Sequence, residues 1–259
     1  MRHATMPALV LFLFLTGCTI SEEQEIAIGR DAAPQFEQEF GGIYPDPAVQ
    51  NYVQDIGMEL VRHTDRPNLP WRFRVLNSDQ VNAFALPGGF IYITQGLLGS
   101  LENEAQLASV IGHEIAHVDH RHSVQQLQRS QLIGGGAALA GLISGSGAGA
   151  DASSLVAGLA LMSYSRGQEK EADLSGLNYI ARQGYQPRAI VETMRILKEA
   201  GGGGGPPEFF SSHPDPKNRG EYLTERIEDR YANVISVGRT NEDRFDQIVG
   251  RLRNAVGQR

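Results

Sequence analysis

The 259-residue chain contains one cysteine, one tryptophan and little aromatic character overall, at 7%. A single cysteine excludes an internal disulfide and any four-cysteine zinc site. Its longest unbroken apolar run, Ala8 to Leu15, is far short of the ~20 residues a spanning helix needs. Positive charge is scarce as well. Lysine and arginine number 23 against 30 acidic residues, and the formal net charge of −7 argues against general nucleic-acid binding. What is present is ordinary for a globular chain: 41% hydrophobic and 20% charged residues, which excludes a mainly disordered protein. Glycine is the outlier at 30 residues, concentrated in residues 132–162 and at Gly201–Gly205.

The first residues read as an address. Arg2 and His3 precede the run Ala8–Leu15, and Leu15-Thr16-Gly17-Cys18 closes it. A basic start, a short apolar core and small residues are the marks of a signal peptide. The closing tetrapeptide resembles the bacterial lipobox, which implies cleavage after residue 17 and acylation of Cys18. Several acyl chains bury enough methylene groups for lasting membrane attachment. Thr19 after the cysteine implies the outer membrane, facing the periplasm. Residues 1–17 are then the lipoprotein signal and residues 18–259 a single domain. The alternative is an ordinary cleaved signal with an incidental cysteine.

Ser21 and the acidic residues behind it open a helix predicted to reach about Phe40, stopped by Gly41-Gly42. Asp46-Pro47 starts a second, to about Arg62. Trp71–Leu76, Ala83–Leu86 and Phe90–Thr94 read as strands, the last two joined by Pro87-Gly88-Gly89, so a small antiparallel sheet is expected. Helical patterning returns from Glu102 to about Gln128. Residues 132–162 read either as a helical hairpin closely packed through small residues, or as a membrane-dipping or mobile flap. Further helices are expected at 166–182, 187–200, 217–231 and 242–256, with the glycine-rich loop 201–205 between. The fold class is α+β, mostly helical.

His113-Glu114-Ile115-Ala116-His117 lies within the 102–128 helix. At 3.6 residues per turn, two imidazoles four residues apart share one face and can hold one metal ion. The adjacent glutamate is placed to deprotonate a metal-activated water, the nucleophile of peptide hydrolysis. A catalytic zinc needs a third protein ligand, and helical geometry selects it from Glu169 and Glu171. Glu169 shares an arc with Ala172, Asp173, Gly176 and Ile180, a face made for burial, whereas Glu171 falls among Ser175, Asn178 and Arg182 on the solvent arc. A buried carboxylate needs a partner. Glu169 is therefore the ligand candidate, with a salt bridge to Arg166 as the plainer alternative, and Asp173 is placed to orient a ligating histidine. His120 could approach the same face. Tyr164, Tyr179, Tyr185 and Arg219 are candidate transition-state donors.

HExxH followed some fifty residues later by Ser165-Arg-Gly-Gln-Glu-Lys-Glu-Ala-Asp173, with Asn82–Thr94 and Ser212-His213-Pro214-Asp215-Pro216-Lys217-Asn218-Arg219, resembles the membrane-associated gluzincin endopeptidases. This is the family of HtpX, the CAAX prenyl proteases and the bacterial envelope proteases BepA and LoiP. The resemblance implies a zincin-like fold, one zinc ion on His113, His117 and Glu169, and Glu114 as general base. It implies that the stretch before Pro87 is an edge strand on which extended polypeptide substrates lie. It gives His213 one of two roles, a latch on the fourth zinc position or an oxyanion donor. Misfolded or stalled envelope proteins are the implied substrates and outer-membrane assembly machinery an implied partner; a lipoprotein assembly factor or chaperone with a rarely active site is the rival reading.

Overall fold

The computed structural model describes residues 19–130, 152–160, 162–200, 209–214 and 218–256. Cys18, most of the 132–162 segment including Leu132–Ile143, and Gly201–Gly205 lie outside the described residues. No helix among the described residues is long and apolar enough to cross a membrane.

Local signals set the helix starts. α1 (Glu22–Glu39) begins at a Ser21/Gln24 capping box, and α2 (Pro47–Val61) at Asp46, whose carboxylate accepts from the Ala48 N–H. Gly41 and Gly42 adopt φ of 82° and 83°, which lets the chain turn from α1 into α2. Strands β1 (Arg72–Leu76), β2 (Ala83–Leu86) and β3 (Phe90–Thr94) follow. The sheet is mixed, where an antiparallel one was expected. Its order is β1-β3-β2, with β2 antiparallel to β3 but β1 parallel to it. The Gly88-Gly89 turn (φ 79° and 102°) forces only the β2–β3 hairpin. β3 then inserts beside β1, because all five of its residues are buried and need cover on both edges and both faces.

Those faces meet different partners. Phe73, Val75, Ala83, Ala85, Ile91 and Ile93 face the main core with α2, whereas Leu76, Phe84, Leu86, Phe90 and Tyr92 pack against Phe36 and Ile28 of α1. α3 (Gln95–Ser100), capped by Thr94, turns the chain into α4 (Glu104–Asp119). The expected single helix over 102–128 is broken: Arg121 takes φ 57° and α5 (His122–Ser130) sets off separately. α6 (Ala152–Ala160) packs on α1. α7 (Arg166–Arg182), with its Ser165/Gln168 capping box, makes the most extensive helix pairing of the fold, against α4. The remaining helices are α8 (Ala189–Ala200), α9 (Phe209–Ser212), α10 (Arg219–Arg230), α11 (Ala232–Ile235) and α12 (Glu242–Val256).

Two features fix α4. At its N-terminus the fully buried Glu104 accepts from Tyr52 (2.8 Å), Tyr185 (2.9 Å) and Asn241 (2.5 Å), tying α2, the turn after α7 and the start of α12 to one carboxylate. In its middle, α4 and α7 approach so closely that a Cβ on Gly176 would stand 2.9 Å from the His113 nitrogen and 3.0 Å from the Gly112 carbonyl carbon. Backbone on both sides cannot give way cheaply. Gly176→Ala is expected to cost ~1–3 kcal/mol through overpacking, read as a lowered denaturation midpoint with unchanged m-value. Gly250→Ala, where a Cβ meets open space, serves as the control.

Candidate metal centre

The α4–α7 contact brings three side chains to one point, and a fourth joins them from the end of α9. His113 and His117 extend from α4, Glu169 from the first turn of α7, and His213 from the residue after α9, all buried. His113 Nε2 and His117 Nε2 are 3.0 Å apart, and His213 Nδ1 lies 3.3 Å from His113 Nε2. Glu169 Oε1 is 3.1 Å from His213 Nδ1 and 3.4 Å from His117 Nε2, with Oε2 3.6 Å from His113 Nε2. Four ligands bound tetrahedrally at zinc distances of 2.0–2.1 Å stand about 3.3 Å from one another. The observed separations match that figure. The donor set of imidazole and carboxylate also suits a borderline divalent cation.

The unpartnered atoms point the same way. Glu169 Oε2 and both carboxylate oxygens of Glu114 are buried without a hydrogen-bond partner, which an interior carboxylate does not tolerate unaided. Glu114 stands beside the cluster, 3.6 Å from His213 Nε2. Burial pushes its pKa up, partly offset by His213 and His113. Burial would raise Glu169 too, but His213, His113 and His117 together hold its carboxyl well below the usual range. Burial holds His117 well below an ordinary histidine, hence neutral with a free lone pair. On His113 the same burial is outweighed by Asp173 and Glu169, which raise it to about 9. A divalent cation held by the cluster would compete with that proton.

A second layer orients these groups. Asp173 Oδ1 lies 3.0 Å from His113 Nδ1 and fixes that ring with Nε2 toward the cluster. Asp173 also accepts from Arg219 and from Tyr222, both on α10. Arg219 is buried, its Nη1 3.6 Å from Glu169 Oε2, so one guanidinium balances two interior carboxylates. His117 has its own support. Its Nδ1 is 2.9 Å from His122 Nδ1, and His122 Nε2 is 3.1 Å from Glu171 Oε2. With the His117 Nε2 lone pair on the cluster, Nδ1–H donates to His122, whose Nε2–H donates to Glu171. Tyr164 stacks on the His117 ring, centroids 3.8 Å apart, and its hydroxyl bonds Ser123. Phe209 stacks on His213 at 4.5 Å.

Of the residues singled out in the sequence, His113, Glu114, His117, Glu169, Asp173, His213, Tyr164 and Arg219 meet here. His120 does not; its ring bonds Ser175. Tyr179 and Tyr185 bond Asp119 and Glu104, away from the centre. Glu171 is half-exposed, yet it carries a hydrogen bond to the buried His122 that its position on the solvent arc does not suggest. Tyr222 was missed, and His122, just past the motif, was given no role: the left-handed turn at Arg121 that returns the chain onto His117 leaves no mark in the sequence.

A three-stranded sheet flanked by an HExxH helix, with a glutamate-bearing helix packed across it, defines the zincin-like class of metallopeptidase domains. The sequence model of peptidase family M48 matches residues 47–227, and the chain belongs to that family. It is 32% identical over 213 residues to the beta-barrel assembly-enhancing protease of Yersinia pestis, covering 78% of this chain and 44% of that protein. Its likeness to the Escherichia coli K12 protein of the same name is 32% over 227 residues, with the same coverage. The mitochondrial metalloendopeptidase OMA1 of Saccharomyces cerevisiae is 31% identical over 192 residues, 70% of this chain and 50% of that one. The chain thus spans about half the length of these relatives or less.

The His117–His122–Glu171 chain makes a prediction. His122→Leu, close in size, removes the acceptor and is expected to weaken zinc binding ~10–100-fold. Competition with a chromophoric chelator measures it; His63→Leu, whose ring bonds Gln183 away from the centre, should bind zinc as wild type does.

Proposed function

We propose that the chain is a zinc-dependent endopeptidase of the bacterial envelope. The observation that carries the reading is the convergence of three imidazoles and Glu169 beside a buried, unpartnered Glu114. His113, His117 and Glu169 would hold the ion, which when bound supplies Lewis-acid polarisation and an acidified water. Glu114 takes a proton from the attacking water and returns it to the leaving amine. Its burial suits both duties, since a raised pKa brings a carboxylate nearer to working pH. Asp173 and His122 keep the two histidine rings turned inward throughout. Arg219 keeps Glu169 and Asp173 ionised together.

His213 fills the fourth donor position through Nδ1 and turns Nε2 to Glu114, the arrangement of a site held shut by its own side chain. That observation also supports the second reading, an assembly factor or chaperone that cleaves rarely. The relatives named as beta-barrel assembly-enhancing proteases support envelope polypeptides as substrates and outer-membrane assembly machinery as the setting. In that reading Cys18 carries the lipid anchor and residues 1–17 are removed.

The test is cleavage of casein by the purified zinc-loaded chain beside Glu114→Gln. We expect Glu114→Gln and 1,10-phenanthroline each to reduce cleavage at least ~100-fold; cleavage that survives both contradicts the reading. His213→Ala is expected to raise the basal rate several-fold. A rate that falls instead assigns His213 to oxyanion stabilisation.

A further inference from the structure

β2 is an edge strand: its order in the sheet leaves one side without a strand partner among the described residues. The hydrogen bonds around it say which groups face that side. Thr94 N–H donates to the Asn82 carbonyl at 3.1 Å, so Asn82 bonds inward to β3. In an antiparallel pair the inward and outward residues alternate. Phe84, opposite Tyr92, therefore also bonds inward, and Ala83 and Ala85 turn their N–H and C=O outward. Both outward residues are held by side chains standing in for a strand. The Ala83 N–H donates to the Asn82 side chain at 2.9 Å, and the Ser123 hydroxyl donates to the Ala85 carbonyl at 3.4 Å.

An extended peptide on this edge would exchange its backbone bonds with Ala83 and Ala85. Its residue between those two would lie opposite Phe84, on Phe84's face of the sheet, whichever way the peptide runs. Phe84 faces α1, and beside it is a cavity of about 450 Å³ lined by Phe40, Asn82, Phe84, Ala160 and Ser212, among others. That volume lies within the ~300–1,000 Å³ of small-ligand sites, enough for an aromatic side chain. Phe40 and Phe84, with ring centroids 4.6 Å apart, form an aromatic wall for it. One of its lining residues, Ser212, is the chain neighbour of His213. By contrast the space along the edge beside His213, Met162 and Tyr164 is only about 20 Å³, so those residues must yield before a peptide pairs.

We propose that the 450 Å³ cavity is a specificity subsite taking a bulky apolar side chain, aromatic or long aliphatic, from the substrate residue opposite Phe84. The proposal rests on the endopeptidase reading and adds a substrate class to it: extended segments with a large apolar residue at one fixed distance from the scissile bond.

The test maps cleavage sites in casein by mass spectrometry, with the full zinc-loaded chain and its His213→Ala variant. We expect one position to be enriched at least ~5-fold in Phe, Tyr, Trp, Leu or Met. For a peptide pair differing only by Phe or Ala there, the kcat/KM ratio should be ~10–200, the range an apolar pocket gives. Ala160→Phe, which fills the cavity, should lower that ratio at least ~10-fold, mainly through KM. Phe40→Ala, which widens it, should move the preference toward Trp. Cleavage without positional enrichment, or a ratio unmoved in a natively folded Ala160→Phe, overturns the subsite and leaves the endopeptidase reading standing. If neither protein cleaves, the endopeptidase reading fails, and the subsite is decided by anisotropy of the same two peptides on zinc-loaded Glu114→Gln/His213→Ala. Tighter binding of the Phe peptide supports it; equal affinities overturn it.

Discussion

The contact between α4 and α7 determines where His113, Glu114, His117, Glu169 and Asp173 stand. Gly112 and Gly176 face each other across it, and the absence of side chains there lets the two backbones come within van der Waals reach. His113 follows Gly112 directly, and Gly176 lies three residues after Asp173. The same close approach therefore sets the His113–Asp173 hydrogen bond at 3.0 Å and brings Glu169, one turn earlier, to the histidine pair. A helix pair spaced by ordinary side chains, at 8–10 Å between axes, has longer reaches to bridge. Precision at the site is thus a packing result before it is an electrostatic one.

Electrostatics explains the remaining cost. Glu114, Glu169 and Asp173 are all buried within one region, and three uncompensated carboxylates there would be prohibitive. Arg219 offsets part of the charge from α10, and the imidazoles offset more. Glu114 is left without a hydrogen bond, its nearest partner being the His213 ring at 3.6 Å, and it is the carboxylate to which the proposed proton transfer falls. His213 reaches the cluster from a segment that belongs to neither core helix, as the proposed latch requires.

Much of this was legible in the sequence because it is local. Ser21, Asp46 and Ser165 announce α1, α2 and α7 by capping chemistry, and the four-residue spacing of His113 and His117 carries its own geometry. Glu169 could be separated from Glu171 because the arc it shares with Ala172 and Gly176 can only face a neighbour. What was not legible depends on contacts distant in sequence. Nothing in Arg72–Leu76 records that β3 lies between it and β2, so the parallel pairing was missed. The left-handed turn at Arg121 interrupts an apolar pattern that reads as one helix, and with it the approach of His122 to His117 was hidden. Glu171 was assigned to solvent from its own helix alone, although a side chain half in water still reaches a buried partner on α5.

The most direct measurement is anomalous diffraction at the zinc edge from crystals of the metal-loaded chain. The account predicts a single strong peak about 2.0–2.1 Å from His113 Nε2, His117 Nε2 and a Glu169 oxygen, with Glu114 outside bonding distance. A peak elsewhere in the molecule, or none at this cluster in a crystal holding one zinc per chain, would contradict it.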